Sequence, residues 1–453
     1  MHDCSKEFDK FYDNKVVLSQ AEKHELWSSK RKNIKRLKDG LKKYNEENGT
    51  SYTVVEDLVQ GSMEMHTVVQ NDEKDYDIDV AIVFEEEDLE EKGPESTRTM
   101  VANVLKKETY QFSEDPEVKT GCVRLKYSTG YHIDFAIFKR YKYHKDHKDS
   151  EKYIYEHAGA EWSQRDIKAL GDWFRDKNNE SDGLLRKVVR LSKMFTRSRE
   201  HWKNMPTGLV QTVVCQEEFA TQYERIDEVF YYTMKNICSR LSYKLEVEAP
   251  ADNGRALIYR QSDYRKMQNW RNGLEKELEK LAILFENNSH EDLVEAWGEF
   301  FNHDYWDDLS QDSINEQYDY SDTEEFIENI YPVNIMYDLE IDCIIDKKGF
   351  RRMSIYKFLN EYRIFRNWLP HGSEIRCSIK STNCPSYDKV LWKVKNVGDV
   401  AKSKNMIRGQ IQNRGKEIKE SSSFFGSHYI ECYLIKNDIC VALDRIDVPI
   451  GDK

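Results

Sequence analysis

With 453 residues, the chain is long enough to bury a substantial core and longer than one core usually holds, so two or three domains are expected. Charged residues make up 33%, mean hydropathy is −0.81 and no window reaches about 18 consecutive apolar residues, which excludes a helical membrane protein; the start Met1-His2-Asp3-Cys4-Ser5-Lys6 lacks a signal peptide's apolar run, and a cytoplasmic protein is predicted. A net charge of −13 excludes a protein that coats nucleic acid over its whole surface, and nine cysteines without a Cys-x-x-Cys pair predict reduced thiols rather than a zinc site or a disulfide framework.

The first predicted element is a helix from Ser19 to Tyr44, where Ile34, Leu37 and Leu41 recur at offsets of three and four. Its cations, Lys30, Arg31, Lys32, Lys35, Arg36, Lys38, Lys42 and Lys43, read as a solvated face. Gln60-Gly61-Ser62 then precedes two strand-like stretches, Tyr76 to Phe84 and Tyr131 to Phe138. Side chains two apart on a strand share a face, so the carboxylates of Asp77 and Asp79 point the same way, and Asp134 joins them if the second strand pairs nearby. Acids on an otherwise apolar strand are costly to bury, and a divalent cation that neutralises them is the usual justification. The arrangement reads as a metal site.

Nucleotidyl transfer is the chemistry that wants such a site. Two Mg²⁺ ions roughly 4 Å apart, for which Mn²⁺ can substitute, activate an attacking hydroxyl and stabilise departing pyrophosphate. Asp77 and Asp79 would hold both ions, and Asp134 the one that activates the hydroxyl. Gly61 lets the backbone approach a triphosphate without a Cβ, while the Ser62 hydroxyl and backbone N–H can donate to phosphate oxygens.

A further helix is predicted from Asp182 to Lys203, with Arg186, Arg190, Lys193 and Arg197 at offsets of four, three and four along one face. Leu184, Leu185, Val188, Leu191 and Phe195 supply its buried side. A nucleoside triphosphate needs cations on its tail where metal does not reach, although a wet charged face has the same spacing. Pro206-Thr207-Gly208 leaves the Thr207 hydroxyl available to a phosphate or base, or is a plain connection between helices. Residues 217–285 read as helices broken by Glu248-Ala249-Pro250-Ala251-Asp252-Asn253-Gly254, with aromatics better suited to core than to base stacking. From 286 to 330 the chain turns acidic and aromatic, as in Asp304-Tyr305-Trp306-Asp307-Asp308 and Tyr318-Asp319-Tyr320-Ser321-Asp322, and reads as a connecting segment of short helices. The last third reads as strands at Asn334 to Ile345, near Ile375, Val390 to Val397, Ile407 to Ile411, Tyr429 to Ile435 and Ile439 to Ile450, with one helix from Ser354 to Phe365, which predicts a β-sandwich. Arg408, His428 and Arg445 are its candidates for an anionic ligand.

Gln60-Gly61-Ser62, Asp77-Ile78-Asp79-Val80 and Ile133-Asp134-Phe135 resemble the core of the polymerase β-like nucleotidyltransferases. Within them the chain is most similar to the bacterial CD-NTase (SMODS) group, relatives of cyclic GMP-AMP synthase and oligoadenylate synthase. The likeness extends through Leu185 to Phe195, Met205-Pro206-Thr207-Gly208-Leu209 and Asp252 to Leu257, with Thr207 where the group more often has serine. Trp392 to Gly398, Ile407-Arg408-Gly409, Gly426 to Tyr433 and Val441 to Ile450 resemble the adenylyl/guanylyl and SMODS C-terminal (AGS-C) sensor domain. The resemblance implies an α+β fold: a nucleotidyltransferase core with its long helix (1–180), a helical nucleotide-binding lobe (181–285), the acidic connection (286–330) and a β-rich sensor (331–453). It further implies that Lys193, and less firmly Arg190, grips the donor triphosphate, with Gln60, Gly61, Ser62 and Thr207 as further nucleotide contacts. The implied activity is joining of NTPs into a cyclic oligonucleotide messenger in bacterial antiphage defence, read by a separate effector protein, with nucleic-acid activation not favoured. Template-independent synthesis of linear oligonucleotides, nucleotide addition to RNA ends, and a catalytically silent nucleotide-binding regulator stay open as alternatives.

Overall fold

The computed structural model describes all residues except 72–74, 90–91, 129, 144–151, 252–253, 313–323, 362–367, 398–400, 402–405, 423–424 and 452–453, and except the side chains of residues 20, 21, 143, 152, 308 and 310–312. Asp252, Asn253, Tyr318 to Asp322, the Asp308 side chain, Phe365 and Gly398, named above, therefore lie outside the described residues. The chain forms two compact units, Met1–Glu316 and Gln317–Lys453.

The first unit begins with a short helix, α1 (Ser5–Phe11), and the long α2 (Gln20–Asn48). Ser19 caps α2 by accepting the Glu22 N–H while Glu22 reaches back to the Ser19 N–H, and Gly49 ends it at φ +66, where a Cβ would be strained. Next come β1 (Glu56–Gln60), α3 (Gly61–Glu64), β2 (Asp77–Glu85), α4 (Pro94–Glu108), β3 (Glu117–Val118), β4 (Val123–Lys126), β5 (His132–Tyr143), β6 (Lys152–Ala158) and β7 (Trp162–Gln164). Their strands make one mixed sheet in the order β1-β2-β5-β4-β3, extended by β6 on β5 and β7 on β6. Only β2 and β5 run parallel among these pairs. Ile78, Val80, Ile82, Ile133, Phe135 and Ile137, at alternate positions of β2 and β5, share one buried face of the sheet.

Helices α5 (Ala169–Glu180), α6 (Leu184–Arg197), α7 (Gly208–Glu217), α8 (Ile226–Arg240), α9 (Gln261–Lys280), α10 (His290–Phe301) and α11 (Tyr305–Asp312) complete the unit. The predicted Asp182 to Lys203 helix is thus shorter at both ends. Residues 286–312, expected to connect domains, do not merely connect. Trp297, Phe300, Phe301 and Trp306 are at most 2% exposed and pack with Phe8 and Phe11 of α1, Phe8 meeting Trp297 edge-on at 4.6 Å. Acidic residues fill the helices' outer faces, and the aromatics between them close the core.

The second unit holds α12 (Ile327–Ile330), β8 (Leu339–Asp346), β9 (Met353–Ser354), α13 (Ile355–Glu361), β10 (Glu374–Thr382), β11 (Lys389–Lys395), β12 (Arg408–Asn413), β13 (Glu417–Ser421), β14 (Gly426–Lys436) and β15 (Ile439–Ile450). Two antiparallel sheets, β13-β10-β8-β9 and β12-β11-β14-β15, enclose one core that includes Ile341, Ile345, Ile375, Trp392, Val394, Ile430 and Leu434. This is the predicted sandwich, with β13 added. The expectation of reduced thiols fails at one pair: the β8–β10 register sets Cys343 directly opposite Cys377, and the two form a disulfide with Cα atoms 4.0 Å apart.

Candidate active site

Strand register assembles the acids. Gln60 pairs with Asp79, Asp79 with Asp134 and Asp134 with Arg124, so four polar side chains form a row across β1, β2, β5 and β4. One step along the same face, Asp77 pairs with His132. Asp77, Asp79 and Asp134 therefore share a face, and Gly61 lies against it. An ideal Cβ on Gly61 would sit 2.4 Å from Asp79 Oδ2, and the residue's φ of +65 is one that glycine adopts without strain. Ser62 follows on α3, and its carbonyl accepts the Thr67 N–H at 2.8 Å. Gln60 turns away from the acids, donating to the Ile167 carbonyl at 3.3 Å.

The expected cage of three converging carboxylates is not what the side chains make. Asp134 accepts both Nε and Nη2 of Arg124, at 2.7 and 2.6 Å, and Asp77 pairs with His132. Among the described residues no three His, Cys, Asp or Glu groups surround one point closely enough to hold a metal ion. The cause is electrostatic: acids this close recruit whatever cation stands nearest, and Arg124 Nη2 also lies 3.5 Å from Asp77 Oδ1. Hydrogen bonding from His132 and the charges of His132 and Arg124 outweigh burial and hold the Asp77 carboxyl low. Asp79 has no such partner, and burial followed by the charges of Asp77 and Asp134 pushes its carboxyl up to about 7. A guanidinium reaching two carboxylates, beside a third carboxyl starved of positive charge, marks a donor set that fits a divalent cation once Arg124 gives way.

Helix α6 forms a wall of opposite sign. Arg186, Arg190 and Lys193 are buried, at 6 to 7% exposure, whereas Arg197 is exposed, so the solvated-face reading fails for three of the four. The segment after α3 meets two of them. Arg186 Nε donates to the Met65 carbonyl at 3.1 Å, and Lys193 Nζ donates to the Thr67 carbonyl at 2.9 Å and the Thr67 hydroxyl at 2.8 Å. Arg190 bonds the Tyr12 hydroxyl. Burial, then the charges of Arg197 and Arg190, push the Lys193 ammonium down to about 7. Arg197 also acts on Asp77, so its charge is felt by both walls. Thr207 is exposed at the N-cap of α7 without capping it, and a Cβ on the adjoining Gly208 would stand 3.2 Å from Lys193 Cε. Sequence reasoning missed Arg124, His132 and Thr67; His132 sits two residues before Asp134, so strand period alone places it on the acid face, whereas Arg124 reaches that face only through the β4–β5 register.

Other candidates are committed elsewhere. Lys30 on α2 is buried against Asp57 at 2.7 Å, which Lys38 also approaches at 3.0 Å, and Lys43 reaches Glu108 at 2.7 Å, so much of that basic run is paired within the fold. Arg408 bonds both oxygens of Glu420, and buried His428 accepts the Val397 N–H.

Residues 56–138 match the family model for the nucleotidyltransferase domain of cyclic GMP-AMP synthase DncV-like proteins, and 321–451 match that for the adenylyl/guanylyl and SMODS C-terminal sensor domain. A cyclic GMP-AMP synthase of Escherichia albertii is 24% identical over 415 residues, covering 86% of this chain and 84% of that protein. Among solved structures, Escherichia coli DncV in its 3'-deoxy GTP bound form aligns with TM-score 0.53 at 16% identity, over 67% of this chain and 98% of that one. Vibrio cholerae DncV in complex with GTP and 5MTHFGLU2 aligns with TM-score 0.52 at 17% identity, over 66% and 95%. At those identities the structural likeness is one of fold, a polymerase β-like core with its helical lobe. No helix among the described residues is long and apolar enough to cross a membrane. Taken together, the paired domain models and the curated relative support a bacterial CD-NTase nucleotidyltransferase with an AGS-C sensor domain.

Proposed function

We propose that the protein joins nucleoside triphosphates through phosphodiester bonds into a cyclic oligonucleotide messenger, releasing pyrophosphate, in cytoplasmic bacterial defence against phage, where a separate effector protein reads the product. The observation that carries the catalytic part is the sharing of one sheet face by Asp77, Asp79 and Asp134 beside Gly61-Ser62, with the cations of α6 on the neighbouring loop. Asp77, Asp79 and Asp134 would hold magnesium, which would supply activation of the attacking hydroxyl and neutralisation of charge on the leaving pyrophosphate. Gly61 gives a triphosphate access to the backbone, and Ser62 offers it a hydroxyl. Lys193, taken from the Thr67 oxygens, places its ammonium on the donor's phosphates, with Arg190 behind it, and Thr207, next to the Gly208 that lies against Lys193, contacts the same nucleotide in this reading. Gln60, tied to the Ile167 carbonyl, braces β1 beside Asp79 and reaches the nucleotide only by turning. The E. albertii relative's name, cyclic GMP-AMP synthase, supports a cyclic product.

Incubating the protein with each combination of NTPs and Mg²⁺, then separating products by chromatography and mass spectrometry, tests this reading. A cyclic product that vanishes in Asp77→Asn/Asp79→Asn, with the circular dichroism spectrum unchanged, is expected. Linear oligonucleotides as the end product would replace the cyclase by a template-independent polymerase, and undiminished turnover in the double variant would remove the metal site.

A further inference from the structure

The row that joins the acids runs one strand further. Arg124 of β4 faces Asp134 of β5, and on its other side it pairs in register with Glu117 of β3, so one face of the sheet carries Asp79, Asp134, Arg124 and Glu117 in that order. Directly opposed residues of neighbouring antiparallel strands stand about 4.5–5.5 Å apart at Cβ, which sets a carboxylate on either flank of the guanidinium.

The inner flank is the one engaged. Nε and Nη2 of Arg124 take one oxygen each of Asp134, at 2.7 and 2.6 Å, and Nη2 also lies 3.5 Å from Asp77 Oδ1. A single nitrogen thus stands between two carboxylates, where an ion shared by Asp77 and Asp134 would have to sit. The Cys122 thiol is within hydrogen-bonding reach of Asp134 as well, and the Asp134 side chain is 13% exposed, so guanidinium and metal ion compete for the same oxygens. The outer flank is held loosely. Lys126 and Lys119 approach Glu117 at 3.8 and 4.0 Å, Lys126 is closer to Glu114 at 2.9 Å, and the Glu117 side chain is 49% exposed. Arg124, itself 22% exposed, can pass from one carboxylate to the other by rotation of its side chain, with the strand unmoved.

We propose that Arg124 is a two-position latch on the metal site: docked on Asp134 and Asp77 it screens their charges from each other, and a divalent cation enters as the guanidinium swings outward to Glu117. The latch rests on the reading of this face as a metal site and adds the residues that set how tightly it binds. The cation's apparent affinity is its intrinsic affinity scaled by the fraction of molecules with the latch out, and Glu117 raises that fraction.

Full-length protein, stripped of metal with EDTA and desalted, is titrated with Mn²⁺ in the absence of nucleotide, and free Mn²⁺ is counted by electron paramagnetic resonance. Arg124→Gln is expected to lower the Kd about tenfold or more, the worth of a charge-assisted pair. Glu117→Gln is expected to raise it about two- to fivefold, the worth of an exposed ion pair, and to change nothing once Arg124 is glutamine. That comparison separates a docking partner from a distant negative charge, whose effect would persist in the double variant. Persistence at full size would overturn the outward position, and an unchanged Kd in Arg124→Gln would overturn the latch altogether. If Arg124→Gln does not fold, Arg124→Lys takes its place: it keeps the charge but cannot grip both Asp134 oxygens side by side, and tighter Mn²⁺ binding is again expected. Mn²⁺ binding that survives Asp77→Asn/Asp79→Asn would instead remove the metal site on which the latch rests.

Discussion

Replacing Lys193 by methionine should make the ligand-free protein more stable and its reaction worse. The ammonium is 7% exposed, its neighbours Arg190 and Arg197 carry the same charge, and its partners on Thr67 are uncharged oxygens. A fall from the ordinary 10.5 to about 7 corresponds to about 5 kcal/mol in favour of the neutral amine. The unfolded chain then binds more protons than the folded one between pH 7 and 10.5, so this residue's contribution becomes less unfavourable as pH rises through that window and is at its worst below pH 7. Methionine fills a similar volume without charge but leaves the Thr67 carbonyl and hydroxyl short of a donor, at a cost of about 1–3 kcal/mol. A net gain of about 2 kcal/mol near pH 7 is expected.

Urea unfolding monitored by fluorescence at pH 7 and pH 9.5, without nucleotide or metal, measures it. The advantage of Lys193→Met over the parent protein should shrink by about 3 kcal/mol between those two pH values. In steady-state kinetics the same variant should raise the KM for donor NTP at least tenfold, about 1.4 kcal/mol or more of lost binding. A variant destabilised equally at both pH values, with KM unchanged, would refute the reasoning and make Lys193 an ordinary packed residue.

Gly61→Ala places a Cβ 2.4 Å from Asp79 Oδ2 at φ +65, so it should cost roughly 1–2 kcal/mol of backbone strain and abolish product formation; a fully active variant would show that nothing approaches that face closely. Cys343→Ser/Cys377→Ser opens a bridge between residues 34 apart in sequence and should lower the unfolding free energy of the second unit by about 3–4 kcal/mol, matched by adding reductant to the parent protein; indifference to both would mean that the bridge does not form. A chain ended at Asp312 should remain soluble with the far-ultraviolet spectrum of a folded α+β unit, whereas one ended at Ile330 retains Phe326, Ile327 and Ile330 without the unit in which Ile327 is buried and should aggregate. Equal solubility in size-exclusion chromatography would count against that division.

The acid face was legible because strands repeat every two residues: Asp77 and Asp79 share a face whatever the tertiary structure. The pairing of Asp79 with Asp134 was not, since it depends on a parallel register between strands more than fifty residues apart. The same limit hid the bridge between Cys343 and Cys377, which exists only because β8 and β10 align. On α6 the cation spacing was readable but the burial was not. Helical period predicts that a charged stripe faces water, and the docking of Met65 to Thr67 against α6 covers Arg186 and Lys193. Residues 286–312 misled for the opposite reason: their aromatics look irregular in sequence because their partners, Phe8 and Phe11, lie at the far end of the unit.

These placements converge on one stretch of chain. Gly61 lies against Asp79, and six residues later Thr67 holds Lys193, so a single short segment touches the acid wall at its start and the cation wall at its end. Neither wall is at rest: burial and like charges hold Asp79 and Lys193 far from their ordinary titration ranges. Among the described residues, Asp79 has no paired cation on the sheet, and Lys193 has no paired anion among the contacts that hold it on α6. One short segment thus contacts both walls, Asp79 at Gly61 and Lys193 at Thr67. The nearness of the two unfavourable clusters to each other is therefore a matter of chain connectivity, because the segment that Asp79 adjoins is the one that holds Lys193.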